Sequence, residues 1–310
     1  MGGAPLLAVL QAFTVIIVVI VVGVVVGWRG VLGDNARMVL NRTAFHIGVP
    51  ALLLISLADS EPNQVFSPTL LVSAIAAVTI YALYSGIATV VRWPRGESTI
   101  GAMLASYVNA GNLGIPISAY VLGSTTEVSA LILFQILVLV PISMGLLDSD
   151  TAQQRSVGRR IGALAANPII AASAVGLLLM VLDVEIPEVL HNPLELLAAL
   201  AVPTVLLAFG ISLTARGSEA GKTHRGRLGL AVLLKLVAMP ALAYGLARFG
   251  FGADQHQLMV VTVLAALPSA QNINTYAALY QRGDKLARDT TLVSTLLSVP
   301  VIVVVVLLTG

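Results

Sequence analysis

Ten nearly unbroken apolar runs, separated by junctions too short to fold alone, leave this chain of 310 residues few options. They fall at roughly 6–27, 38–58, 68–91, 102–122, 128–147, 161–182, 193–213, 228–248, 258–280 and 290–309. A helix needs about 20 apolar residues to cross a bilayer, so each run is the length of one span. Composition agrees: 57% of residues are hydrophobic and 10% charged, where soluble chains carry about 25% charged. The expected fold class is an all-α polytopic membrane protein with ten transmembrane helices. The first run is kept as a span because it lacks the basic flank and small-residue cleavage site of a signal peptide. Leu6 stands where a myristoylation signal wants Ser or Thr. Every junction carries Gly, Pro or charge, and none is long enough for a soluble domain.

The basic residues test the same map. Junctions 1–2, 3–4, 5–6, 7–8 and 9–10 hold Arg29, Arg37, Arg42; Arg92, Arg95; Arg155, Arg159, Arg160; Arg216, Lys222, Arg225, Arg227; and Arg282, Lys285, Arg288, which is 15 of the 17 Lys and Arg. The other junctions hold only Arg248, and Lys235 lies within span 8. Cytoplasmic loops are the Lys/Arg-rich ones, so both termini are expected outside a plasma (inner) membrane. Trp28 and Trp93 fall at cytoplasmic span ends, as interfacial anchors should.

Several function classes are excluded by residue type. The chain has no cysteine, so thiol chemistry, disulfides and thiolate metal sites are absent. Histidines 46, 191, 224 and 256 form no ligand cluster, and no metal or cofactor is expected. A net charge of +2 gives no footprint for nucleic acid.

Proline positions reveal an internal repeat. Val49–Leu54 (VPALLL) in span 2 and Val202–Leu207 (VPTVLL) in span 7 lie 153 residues apart; Pro116 and Pro268 lie 152 apart, and Pro141 and Pro300 lie 159 apart. The common offset halves the chain into five-span units, 1–150 and 151–310. Five is odd, so the second copy must enter the membrane inverted, the architecture of many secondary transporters.

Polar residues at membrane depth concentrate in the matched spans 4 and 9. Span 4 reads SYVNAGNLGIPIS over 106–118, and span 9 reads ALPSAQNINTY over 266–276. Buried amides need partners or a cavity, and Gly and Pro weaken a helix at the same places. Two discontinuous helices are therefore expected, each second half presenting its N-terminus and positive dipole end near the midplane. Such ends favour an anion. Asn109, Asn112, Gln271, Asn272 and Asn274 would supply neutral donors, with Gly114, Pro116, Ser118, Pro268 and Ser269 shaping the same breaks and Gln135 of span 5 facing them. Polar glue between packed helices is the plainer alternative for either span alone.

On these residues the chain resembles the auxin efflux carrier family, including its bacterial malonate-permease-like members and plant PIN-type carriers. The matching pieces are NAGNLGIPIS at 109–118, Asn167-Pro168, VPTVLLAFGISL at 202–213, LPSAQNINTY at 267–276 and TLVSTLLS at 291–298. The resemblance implies a scaffold of spans 1, 2, 6 and 7 and a transport unit of spans 3–5 and 8–10. It also implies that spans 4 and 9 cross near Pro116 and Pro268, elevator-like motion, and organic-anion substrates. Two features depart from it. The junction 148–160 is short where plant carriers often have a long loop, and no Asp or Glu sits at mid-depth in any span.

Lys235, about 12 Å inside span 8 at helical rise, either snorkels to the cytoplasmic face or serves charge and coupling. His46 is read as a packed, hydrogen-bonded imidazole, with a proton-carrier role as its alternative. Gln11 is expected to bond a neighbouring helix. Gly23 and Gly27 form a GxxxG that permits close helix contact, either a homodimer seam or an internal crossing. The leading expectation is a secondary transporter that moves small organic anions, carboxylates foremost, across the lipid bilayer of a plasma membrane by alternating access. A sodium- or proton-coupled symporter of related architecture is the alternative, disfavoured by the missing intramembrane carboxylates. An enzyme lacks paired Asp or His/Glu ligands, and a channel would not need the inverted repeat.

Overall fold

The computed structural model describes residues 4–65, 67–150, 162, 166–214 and 225–309, with side chains described except at 4–13, 149 and 150. Arg155, Arg159, Arg160, Arg216 and Lys222 lie outside the described residues, as does the side chain of Gln11. The helices are α1 (Ala4–Arg29), α2 (Ala36–Ala58), α3 (Pro68–Val90), α4 (Arg95–Ser106), α5 (Ala110–Leu122), α6 (Thr126–Asp148), α7 (Pro168–Val181), α8 (Glu188–Thr214), α9 (Arg225–Gly250), α10 (Gln255–Ala266), α11 (Asn272–Tyr280) and α12 (Asp284–Thr309). Among the described residues there is no strand. Six helical stretches among the described residues are long and apolar enough to cross a membrane: α2, Pro62–Val90, α6, α8, α9 and α12. Thr14–Arg29, α5, α7 and α10 are shorter apolar helices.

The chain divides into two compact units. Unit one comprises Met1–Phe66, Gly111–Leu133 and Ile161–Ser218; unit two comprises Ser67–Ala110, Phe134–Arg160 and Glu219–Gly310.

Unit one is organised by close backbone approaches. A Cβ built on Gly23 would stand 2.6 Å from the Leu207 carbonyl oxygen, and one on Gly27 would stand 3.0 Å from the Ile211 Cα. The GxxxG of span 1 is thus used inside the unit, seating α1 on α8. Gly48 approaches Ala201 and Gly176 approaches the Leu54 carbonyl in the same way, drawing α2 against α8 and α7. Small residues let helices meet without a hydrophobic drive from lipid. At the end of α2, Thr125 donates to Ser56 Oγ at 3.0 Å and Ser60 shares a hydrogen bond with Thr126 at 2.8 Å. These hydroxyls hold the start of α6 to α2.

Prolines inside spans follow one pattern in four helices. π-Helical turns at Ala44–Gly48, Ala110–Gly114, Gln135–Leu139 and Leu234–Ala238 are each followed, two residues on, by Pro50, Pro116, Pro141 or Pro240. A proline presses on the carbonyl four residues back, which here belongs to the middle residue of each wide turn: His46, Asn112, Leu137 or Leu236. Widening the turn moves that carbonyl aside without ending the helix. Pro203 is handled differently, by a plain turn at 199–200 within α8.

Unit two packs α3, α4, the later part of α6 and α9–α12. Tyr84 is fully buried and its ring occupies the place where a Cβ on Gly101 would stand, so α3 and α4 require glycine there. Arg227 pairs with Glu97 and lies 5.3 Å from the Trp93 ring centroid. Trp28, by contrast, stays exposed at the end of α1. In α12 the hydroxyls Thr290, Thr291, Ser294, Thr295 and Ser298 are buried, while Leu292, Leu296, Leu297, Val304, Leu307 and Leu308 face outward. α10 begins with a capping box: the Asp254 carboxylate accepts from Gln257 N at 2.8 Å and Gln257 Oε1 accepts from Asp254 N at 3.1 Å. Asp254→Ala is expected to cost about 0.5–2 kcal/mol, read as a lower thermal midpoint of the detergent-solubilised protein.

Candidate functional site

α4 stops at Ser106 and the chain runs extended through Tyr107 (ψ 113°) before α5 begins at Ala110. Asn109, Gly111 and Asn112 are weak helix formers, and they follow the break. α10 stops at Ala266 because Leu267 precedes Pro268 and is forced out of the helical region; its ψ is 145°. These two interruptions cross in unit two as an isolated antiparallel bridge between Val108 and Ser269. Asn109 N donates to the Pro268 carbonyl at 2.8 Å and Ala270 N to the Tyr107 carbonyl at 3.2 Å.

Buried backbone polar groups need partners, and around these interruptions side chains supply several of them. Gln135 Oε1 accepts from Val108 N at 2.7 Å, and Ser294 Oγ accepts from Ser269 N at 3.2 Å. Ser269 Oγ donates to the Leu104 carbonyl at 2.5 Å, and Lys235 Nζ to the Ala265 carbonyl at 2.9 Å. Gln135, Ser269 and Lys235 are therefore committed to holding the crossing. Lys235 does not snorkel: its side chain is 0% exposed.

The accessible polar groups lie at the start of α11. Asn272 is exposed, and Gln271, Asn274 and Tyr276 are half-buried. Asn272 Nδ2 reaches the Tyr107 hydroxyl at 3.5 Å, while Asn274 Nδ2 donates to the Gln271 carbonyl at 3.0 Å and to Thr291 Oγ1 at 3.3 Å. Gln271, the N-cap residue, makes no side-chain capping hydrogen bond to this helix. The expectation of open N–H groups needs correcting, since Ile273 N and Asn274 N close tight turns onto the carbonyls of Ala270 and Gln271. What α11 offers a ligand is its dipole end together with the amide of Asn272. Neutral donors of this kind can hold an anion without a counter-cation at the contact.

The sequence-derived residues thus separate. Asn109, Gln135, Pro268, Ser269, Gln271, Asn272, Asn274 and Lys235 belong to unit two; Asn112, Gly114, Pro116, Ser118 and His46 belong to unit one. Span 4 opens at Tyr107, not at Pro116, which lies buried inside α5 because the π turn ahead of it relieves the clash. The Ser118 hydroxyl is buried and has no hydrogen-bond partner among the described residues. His46 is exposed, not packed, with Nδ1 3.0 Å from the Arg42 carbonyl and its ring edge-on to Phe45. Sequence reasoning passed over Tyr107, Tyr276, Thr291 and Ser294. A signal existed for the last two: hydroxyls at 290, 291, 294, 295 and 298 repeat at helical spacing within an apolar span. Among the described residues no group of His, Asp or Glu is arranged to hold a metal ion.

A family model described as membrane transport protein matches residues 8–149 and 159–306. A "Putative malonate transporter" of Rhizobium meliloti (strain 1021) is 26% identical over 271 residues, covering 84% of this chain and 83% of the relative. The uncharacterized transporter YfdV of Escherichia coli (strain K12) is 22% identical over 265 residues, covering 82% and 83%. An uncharacterized transporter of Methanothermobacter thermautotrophicus is 27% identical over 266 residues, with the same coverage of 82% and 83%.

Proposed function

The chain belongs to the membrane transport protein family, and from that premise we propose a secondary carrier of small organic anions, carboxylates foremost, working by elevator-type alternating access. It is a multi-pass membrane transporter and not an enzyme. The observation that carries the finer reading is the antiparallel crossing of two interrupted helices, Val108 against Ser269. Interrupted spans in corresponding places are the best pointer to a transport site near the midplane. The start of α11, with Asn272 exposed and no carboxylate nearby in sequence, suits an anion. The relative named for malonate supports a carboxylate.

In this reading residues 1–150 and 151–310 are inverted five-helix repeats, supported by the matched interruptions in spans 4 and 9. The transport unit is spans 3–5 and 8–10. The contact division supports that assignment for spans 3, 8, 9 and 10, while grouping Gly111–Leu133 with the other unit. The Lys/Arg-rich odd junctions support a plasma membrane location with extracytoplasmic termini.

Uptake of radiolabelled malonate into proteoliposomes tests the site. Asn272→Ala is expected to lower the initial rate about tenfold, equivalent to about 1.4 kcal/mol, close to the lower end of the ~1.5–3 kcal/mol of a hydrogen bond to a charged group. Wild-type rates in that variant would remove Asn272 from the site. Absence of any saturable uptake across a panel of mono- and dicarboxylates would overturn the substrate class.

A further inference from the structure

The last carbonyls of a helix have no partner within it, and α10 is stopped in the membrane interior by Pro268. One of these carbonyls, that of Ala265, accepts from Lys235 Nζ at 2.9 Å, and the Met239 sulfur lies 3.0 Å from the same nitrogen. Lys235 is fully buried, and no ion pair among the described residues includes it. Packing alone is a poor reason for such a residue, because an apolar side chain fills the same volume without desolvating an amine. The place itself has a different character. Backbone oxygen at the negative end of an interrupted helix is what coordinates transported cations in carriers with broken spans.

We propose that Lys235 is a tethered cation: its amino group occupies the C-terminal end of α10 in place of a coupling ion, so the crossing assembles without sodium. The stem, rooted in the π turn Leu234–Ala238 of α9, delivers the group from a neighbouring helix and keeps it there through every cycle. Lys235 is accordingly a positioning residue. It fixes the Ala265 end of α10, three residues before the strand-like exchange at 268–270, and does not touch the substrate. This goes beyond the carrier reading and rests on it only in its transport arm.

The decisive measurement is thermal unfolding of the detergent-purified full chain in choline, sodium and methylammonium chlorides at equal ionic strength. The wild type is expected to melt at one temperature in all three. Lys235→Ala, which vacates the position, is expected to melt lower in choline and to recover by about 5 °C in sodium or methylammonium, as a ligand bound only by the folded state would give. Lys235→Met fills the space without charge and is expected to show no salt response, a distinction that loss of packing alone would not produce. Insensitivity of the Ala variant to the cation, its failure to yield folded protein even in methylammonium, or stabilisation of the wild type by sodium would each overturn the proposal. In proteoliposomes, malonate uptake by the wild type is expected to be unchanged when potassium replaces sodium; sodium-driven uptake would also overturn it. Melting requires no substrate, so absence of malonate uptake would count against the carrier reading alone and leave Lys235 to be judged by the melting curves.

Discussion

Replacing Gly210 by valine is expected to force α1 away from α8 and to lower the stability of the folded protein. A Cβ on Gly210 would collide with the Ile20 carbonyl and stand 2.8 Å from the Gly23 Cα. Both are backbone atoms of a long helix, so no side chain can swing aside. Overpacking ordinarily costs about 1–3 kcal/mol, and here relief demands moving a whole helix, placing the effect at the upper end. A shift of about 2–4 °C per kcal/mol is usual for larger domains, so the thermal midpoint should fall by roughly 10 °C. Gly226→Ala is the matched control, since nothing lies within 4 Å of a Cβ there. An unchanged midpoint for Gly210→Val would show that the crossing does not bear on stability.

Gln135→Leu carries the second large effect. Gln135 is 2% exposed and its carbonyl oxygen is the acceptor for Val108 N, in the middle of the extended stretch. Leucine keeps the volume and removes the acceptor, leaving a buried N–H unpaired at a cost of about 1–3 kcal/mol. Because that N–H sits between the two halves of span 4, the loss is expected to reach both stability and function. Malonate uptake should drop more than tenfold, and hydrogen exchange at Val108 should accelerate. Uptake that survives with normal protection at Val108 would show that a water or another group replaces the amide.

Hydropathy made the helices legible because lipid demands long apolar runs, and the run 38–58 differs from α2 by only two residues at one end. The breaks were legible as places, through Pro268 and the Asn-Gly cluster around 109–114. Their edges were less so: Pro116 drew attention to itself, yet the chain leaves the helix at Tyr107. The reason is local. A proline preceded by a wide turn can stay helical, and nothing in composition announces a π turn. Division of labour among polar residues was also illegible, because Gln135 and Asn272 look alike in sequence. One is consumed by a backbone amide 27 positions away, and the other is left facing outward. Which of two amides is spent depends on tertiary neighbours that no periodicity encodes.

The arrangement of α12, hydroxyls inward and leucines outward, sets how this span can tolerate change. Its outer face is constrained only to be greasy: Leu, Val and Ile should interchange freely at 292, 296, 297 and 304, and sequence drift there should be wide. Its inner face is constrained by size as well as polarity, since Ser294 must both accept from Ser269 N and fit beside it. A hydropathy profile therefore scores the permissive side of this helix and overlooks the demanding one. Random mutagenesis should find the lethal positions among the residues that make the span look least like a span.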